Sequence, residues 1–599
     1  MRTLPIVAMV CASAIAVAIV GPSASGCGGG GGGGSGSAAS AATTGFGVVA
    51  TAPTDGDGAV DPTALLFVTF DQDVDAASIG SSANGAIALI DDRGPVTAAL
   101  RLVTPRIVEV APSGALAFNR AHVLRVTTQV LATSGAPLAV EHLVRFSTHG
   151  PKVAVPVGST TTSTGPWVAG AAEVDMSPPR GTPMAGYGGG DRRLKFPDLN
   201  PFDLHTFLVP SQGERDPCRV KALVIGNDVD KVAIMTLDAI ATEAAVLEAA
   251  VTKARALGFT VPLERVMCVA SHSHSGPGAI SKKMLWQLAA ADLYVDRVFQ
   301  HITDKMALAL SQAEVTSAPV VLGVGRTLVT TATRNRRAGE SPDLDPDDID
   351  PELQVIRVDT VGGAPVATLW NFAIHGTHFG TSQMQLTADI MGSCSNKLEA
   401  AGGAGIALFM NGAEGDIAPT GGYDATGQLL ADAVMAARAN ATTTPGGFLG
   451  STCELVDMGQ PVFDVSVQRI GSSMPNLTHN GFLNGLQNLG IGPGVSLALP
   501  RGWMENEFRY QAIRIGKAVI ASMPGEPIHE LGLLIKADGH AKGFDHVMTA
   551  GLANGHGAYF TSEKEYWYGG YEGIASLFGP KNGEILVNAA IRQMEKLKP

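Results

Sequence analysis

Five apolar runs in this chain each end abruptly in a cluster of polar residues whose types can bind metal or move protons. Residues 266–270 lead into Ser271-His272-Ser273-His274-Ser275-Gly276-Pro277-Gly278, and residues 366–372 lead through Ala373 and Ile374 into His375-Gly376-Thr377-His378. Residues 405–410 enter Asn411-Gly412-Ala413-Glu414-Gly415-Asp416, residues 518–523 enter Pro524-Gly525-Glu526-Pro527, and residues 547–552 enter Ala553-Asn554-Gly555-His556-Gly557-Ala558-Tyr559. Two imidazoles at i and i+2 followed by Gly-Pro-Gly cannot continue a strand or a helix, so the first cluster reads as a loop that presents side chains. A lone histidine is usually structural; a pair in a glycine-locked turn, joined by a second histidine corner and a glutamate, matches the ligand types of catalytic zinc. Such sites combine neutral imidazoles with a carboxylate and keep one position open for water or substrate.

Side chains like these need strand ends to hold them. In α/β folds functional groups gather at the carboxyl ends of strands, so five such corners can converge on one pocket. From residue 155 to 599, strand-like runs alternate with helical stretches such as 242–257, where alanine and leucine recur at helical spacing. This predicts an α/β (mixed α+β) catalytic domain. Residues 46–150 instead show short alternating runs between Gly, Pro, Asp and Ser clusters, which predicts an all-β sandwich. That segment resembles bacterial Ig-like domains, with Pro53-Thr54-Asp55-Gly56 at the start and Phe146-Ser147-Thr148 at the close. It holds no His or Cys cluster, so spacing or attachment is its expected role. The acidic stretch 341–352 lacks the glycine and the final glutamate of a calcium loop, having Asp348 and Gln354 there, and reads as a solvated loop.

Composition bounds the partners. The chain has 599 residues, enough for two to four domains at roughly 100 to 200 residues each. Its net charge of -13 and the lack of a basic stripe argue against nucleic acid. At the N-terminus, Arg2 precedes an apolar run over residues 4–20 and then Ala24-Ser25-Gly26-Cys27, which reads as a lipoprotein signal peptide (1–27) with Cys27 as the acylated first residue of the mature protein. Residues 28–45 follow as a Gly/Ser/Ala linker. The alternative is an uncleaved membrane anchor; both place the body of the protein in the cell envelope, outside the inner membrane. An oxidising compartment allows disulfides among Cys218, Cys268, Cys394 and Cys453, in any of three pairings.

The ordered series HSHSGPG, NFAIHG, GDIAP, PGEP, NGHGAYFTSEKEY and YEG resembles the neutral, non-lysosomal ceramidases, over roughly residues 165–599. The resemblance implies a zinc hydrolase that cleaves the N-acyl amide of ceramide-like lipids. By position it implies His272, His375, Glu526 and Tyr559 as zinc ligands, His274 as the neighbouring active-site histidine, and Arg336 as a substrate-contacting arginine. Two departures stand out. The family motif Gly-Asp-Val-Ser-Pro-Asn places a serine, taken as the nucleophile, where this chain has Ala418, and its Ig-like domain is usually C-terminal.

Without that hydroxyl an acyl-enzyme cannot form at position 418. The remaining expectation is attack by zinc-bound hydroxide, with His274 passing a proton to the leaving amine and Tyr559 also stabilising the oxyanion. Asp238, Asp389, Asp416 and His378 are read as structural at least as readily as catalytic. Two rival readings stand beside the amidohydrolase. One is a zinc hydrolase of another amide or ester, since Ala418 and the changed Arg337 leave the substrate pocket unconstrained; the other is a non-catalytic surface protein. The N-terminal reading predicts that Cys27→Ser abolishes lipid attachment, which fatty-acid labelling followed by membrane fractionation will show as loss of both label and signal-peptide cleavage at residue 27.

Overall fold

The computed structural model describes residues 45–599 apart from 61, 81–84, 92–93, 118–119, 149–153, 465–495 and 501. Cys27 and its lipobox therefore lie outside the described residues. These fall into two compact units, one built from the described parts of Val153–Pro461 and Leu499–Pro599, the other from those of Pro22–Lys152 and Val462–Ala498. Among the described residues, no helix is long and apolar enough to cross a membrane.

The N-terminal unit contains a sandwich of two sheets. One orders the strands Val48–Ala52, Leu66–Phe70, Ile107–Pro112 and Ala98–Thr104; the other orders Asp57–Val60, His142–Thr148, Ala121–Val126, Ile87–Asp91 and Gly94–Val96. Period-two alternation is visible in Ala121–Val126, where His122, Leu124 and Val126 are buried and the residues between them are not. Phe46, Phe70, Val108, Leu124 and Phe146 fill the space between the sheets. The sheets thus bury their facing sides against each other, as a two-layer β architecture requires.

The larger unit repeats one structural phrase three times: three antiparallel strands, a helix, a fourth strand parallel to the third, and a closing helix. In the first repeat the strands are Val168–Asp175, Arg219–Gly226, Lys231–Leu237 and Val266–Ala270, with helices Ala244–Ala256 and Asp296–Val315. In the second they are Ala318–Leu328, Glu352–Thr360, Pro365–Phe372 and Ile406–Asn411, with helices Asp389–Ala400 and Tyr423–Asn440. The third has Gly446–Asp457, Glu507–Ile515, Ala518–Ser522 and His546–Ala550, with helices His529–Ala541 and Asn582–Glu595. The first two repeats join through Val168–Asp175 and Ala318–Leu328 into one mixed sheet, and the third forms a second sheet. A core cluster that includes Leu223, Ile234, Val269, Leu369, Leu408, Ile513 and Met548 draws on all three.

In the first repeat the connection from third to fourth strand follows from its sequence. In Ala244–Ala256 the buried residues Val246, Leu247, Ala250, Val251 and Ala254 form one helical stripe, which the spacing over 242–257 anticipates. The acidic stretch departs from expectation at one point. Asp350 is buried, drawn in by Lys536 Nζ at 2.6 Å, while Asp343, Asp345, Asp347 and Asp348 are exposed. Cys218, Cys268, Cys394 and Cys453 are all buried free thiols, so no disulfide forms among them; burial pushes the Cys268 thiol up to about 12. Their packing as small apolar side chains accounts for them.

The closed core of the sandwich predicts that residues 46–150, expressed alone, unfold in one cooperative two-state transition. Phe70→Ala should cost that fragment about 3–5 kcal/mol, read from denaturant midpoints.

Candidate metal centre and active site

The site lies where the third and fourth strands of the three repeats end. After Val266–Ala270 the backbone turns through His272 at φ 66°, with His272 N–H donating to Ala239 O at 3.0 Å. The loop then lies against the next histidine corner: His274 N–H donates to Gly376 O at 3.0 Å. A Cβ at position 376 would sit 2.3 Å from His272 O, so only glycine permits this approach. Glu526 and Tyr559 face each other in a short parallel pairing of Glu526–Pro527 with Tyr559–Phe560.

These corners bring His272, His375, Glu526 and Tyr559 together. His272 Nε2 lies 3.0 Å from His375 Nε2 and 3.1 Å from Glu526 Oε2, and His375 Nε2 lies 3.6 Å from that oxygen and 3.4 Å from Tyr559 Oη. His274 Nε2 is 3.3 Å from His272 Nε2. All but His274 are almost entirely buried.

The outer nitrogens decide what this cluster can hold. His272 Nδ1 faces Ile240 O at 2.7 Å and His375 Nδ1 faces Glu414 O at 3.0 Å. A carbonyl only accepts, so each Nδ1 carries a proton and each neutral ring turns an Nε2 lone pair to the centre. Two lone pairs at 3.0 Å and a carboxylate repel one another unless a cation lies between them. Tetrahedral zinc with ligand bonds of about 2.0–2.1 Å separates its ligand atoms by about 3.3–3.4 Å, which the distances 3.0, 3.1 and 3.6 Å bracket. Glu526 Oε2 has no hydrogen-bond donor, while Oε1 is engaged by His556 Nε2 at 3.0 Å. The donor set therefore fits a divalent cation, with carbonyls orienting both imidazoles from behind. Burial, reinforced by Arg336, pushes His375 well below its ordinary value.

Arg336 closes one side. Its Nη2 donates to Tyr559 Oη at 3.0 Å and to Gly415 O at 2.8 Å, and its Nε donates to Glu572 at 2.7 Å. Burial lifts the Tyr559 phenol well above 10, and Glu526 adds to the effect. His274 lies on the opposite side, over the Tyr187 ring at 4.6 Å. Its backbone carbonyl accepts from the buried Arg192, and its own Nδ1 is buried without a partner. Burial, then His272, lowers its pKa well below 6.5. The cavity over these groups is lined by His272, His274, Glu526 and Tyr559 and is otherwise largely apolar, with Ile240, Val246, Ile280, Trp286 and Ala291 in its walls.

Other candidates fall elsewhere. Asp416 spends its carboxylate on His529 N–H and Nδ1, at 2.7 and 2.6 Å, and on Asn335 Nδ2. Asp389 receives the Ile390 N–H and Asp238 the Arg219 N–H, and burial pushes each up to about 7. His378 is half-buried against Phe379. Arg337 is the correction: it does not face the cavity but is fully buried in ion pairs with Glu565 at 2.8 Å and Glu572 at 2.9 Å, so its identity constrains packing and not the pocket. Sequence reasoning did not single out Glu414 or His556, although both stand in corners it identified. Glu414 is buried with neither carboxylate oxygen bonded, and burial together with Glu526 raises it well above the ordinary range.

The family model "Neutral/alkaline non-lysosomal ceramidase, N-terminal" matches residues 210–453 and 491–588, and a bacterial Ig-like domain model matches residues 42–148. Over 403 residues the chain is 25% identical to a neutral ceramidase of Pseudomonas aeruginosa, covering 55% of this chain and 60% of that protein. Over 396 residues it is 22% identical to a neutral ceramidase of Mycobacterium tuberculosis, covering 54% and 62%. The chain thus spans about three-fifths of the length of these curated relatives. The crystal structure of the Pseudomonas aeruginosa neutral ceramidase superposes with a TM-score of 0.58 at 20% identity, over 72% of this chain and 75% of that one, and shows a shared fold.

The ion-pair geometry predicts that Arg337→Ala destabilises the larger unit by about 3–5 kcal/mol, because Glu565 and Glu572 are left without their buried partner. Denaturant unfolding measures the loss, and a second-site Glu565→Gln should recover part of it.

Proposed function

The chain belongs to the neutral/alkaline non-lysosomal ceramidase family, and on that premise we propose that it hydrolyses the N-acyl amide of ceramide-like lipids, releasing a fatty acid and a sphingoid base. The observation that carries this reading is the facing pair of imidazole lone pairs beside Glu526 at the floor of an apolar cavity. His272, His375 and Glu526 are the proposed zinc ligands, with Tyr559 as the fourth and weakest. A cation there would supply Lewis acidity, polarising a carbonyl oxygen and making water more acidic.

The chain's own groups do the rest. The apolar walls take an aliphatic chain and exclude bulk water, which strengthens every electrostatic contact inside. Tyr559 Oη, fixed by Arg336, is a donor for the carbonyl oxygen as it gains negative charge. His274 is the proposed proton carrier. It is neutral in the resting site, so it can accept the proton released as water adds to the carbonyl carbon, and then deliver it to the amide nitrogen as the C–N bond breaks. Arg336 is read as reaching substrate only through Tyr559.

Position 418 favours attack by water. Ala418 lies opposite Arg334 in the pairing of Ile417–Pro419 with Thr333–Asn335, and it offers no hydroxyl for acyl transfer. The same alanine supports a second reading, in which the cleaved bond is an ester or a different amide. With Cys27 acylated, the enzyme would act from the cell envelope on lipids presented there.

Metal analysis of the purified chain should give one zinc per molecule, with fatty acid released from N-acyl sphingoid lipids. His272→Ala and His375→Ala should lose both metal and activity. Ala418→Ser should keep the metal. Release from acyl esters alone would establish the second reading, and a covalent acyl adduct trapped on any side chain would overturn direct hydrolysis.

A further inference from the structure

We propose that the loop 193–205 is a lipid-docking element that inserts Phe196, Leu199 and Phe202 into the surface of a bilayer beside the cavity; this rests on the lipid-substrate reading above. These three side chains are 83%, 81% and 88% exposed, whereas the other exposed large apolar residues of the larger unit are spread among several elements. Solvent-facing apolar side chains concentrated on one short segment mark a surface that meets something else.

The loop is built to hold them out. Leu194 N–H donates to Phe207 O at 2.9 Å and Asp198 N–H to Thr206 O at 2.8 Å, closing the excursion at its base. At the tip, Asp198 accepts the Asn200 N–H at 2.8 Å, Asn200 Oδ1 accepts the Phe202 N–H at 3.2 Å, and Asn200 Nδ2 donates to Asp203 at 2.9 Å. At the tip, Asp198, Asn200 and Asp203 are spent on the loop itself, while Phe196, Leu199 and Phe202 are left to solvent. Leu204 is buried in the core and pins the returning end of the loop.

The loop is also tied to the cavity wall. Asp292, fully buried next to the wall residue Ala291, accepts the backbone N–H of Thr206, Phe207 and Leu208 at 2.9–3.1 Å. Arg193 Nη1 donates to Gly188 O and Leu288 O, and Arg192 supports His274 through its carbonyl. The apolar tips are thus continuous, through hydrogen-bonded backbone, with the apolar wall over the proposed metal centre. A fluid lipid surface suits them better than a protein face: they are separate projections spaced by Pro197 and Pro201. Between 193 and 205, Arg193 and Lys195 balance Asp198 and Asp203, so insertion would be apolar and only weakly dependent on salt.

The test uses the full chain carrying Cys11→Ser and Cys27→Ser, which removes the acylation site, with Leu199→Cys labelled by an environment-sensitive fluorophore; the label is selective because the other cysteines, Cys218, Cys268, Cys394 and Cys453, are buried. Val361→Cys, at an exposed site on another turn, is the control. With phosphatidylcholine vesicles free of N-acyl lipid, the label at 199 should shift to the blue and be quenched by spin-labelled lipid, and the label at 361 should do neither. Equal responses at both sites, no response at 199, or a blue shift at 199 that needs only raised protein concentration would overturn the proposal, the last in favour of a second copy of the chain. In the variant Phe196→Ser/Leu199→Ser/Phe202→Ser, hydrolysis of vesicle-borne substrate should fall at least about tenfold, the change expected from losing one buried apolar side chain. Hydrolysis of a soluble short-chain analogue should stay within about twofold. If no N-acyl lipid is hydrolysed by any form, the substrate reading fails while the fluorescence still decides docking.

Discussion

Two imidazoles that present lone pairs to each other across 3.0 Å, with a carboxylate oxygen at the same point, repel one another inside a dry protein. The fold holds them there regardless. Carbonyls of Ile240 and Glu414 lock the tautomers, His556 turns Glu526 inward, and the close approach at Gly376 sets the spacing of the two histidine loops. Repulsion of this kind is resolved by a cation, so the surrounding architecture can be understood as a frame that keeps the ligands apart from water and together with each other.

That frame is a threefold one. In every repeat the third and fourth strands run parallel and release their chains side by side. The first repeat supplies His272 and His274, the second His375, and the third Glu526 and Tyr559. Arg336 and Arg337 tie the arrangement to the C-terminal helices through Glu565 and Glu572. One arginine reaches the site through Tyr559, and its neighbour is spent wholly on packing, although nothing in their sequence separates them.

The corners were legible in the sequence because a polar cluster after an apolar run is a local signal, and the order of His272, His375, Glu526 and Tyr559 carried the family. The α/β architecture and the Ig-like sandwich were legible for a similar reason, periodicity being local. What escaped depends on contacts distant in sequence. Arg337 meets Glu565 across more than two hundred residues, and Glu414 is orphaned only by what packs around it. Asp350 departs from its acidic neighbours because Lys536 comes from another element. The threefold repeat was hidden as well, since it resides in strand order and the intervening segments differ in length and composition.

The proposed ligands are spread widely along the chain. The first stands at residue 272 and the last at residue 559, with the strands of the second and third repeats between them. No nascent chain shorter than 559 residues contains the whole set, and no single repeat holds more than its own share. Ion capture would then be a late event, coming after all three repeats have formed, and it would stabilise the complete domain while leaving its fragments unaided. Occupancy would in effect certify that all three repeats had folded together, so that a scarcity of metal would surface first as proteolysis of newly made chains.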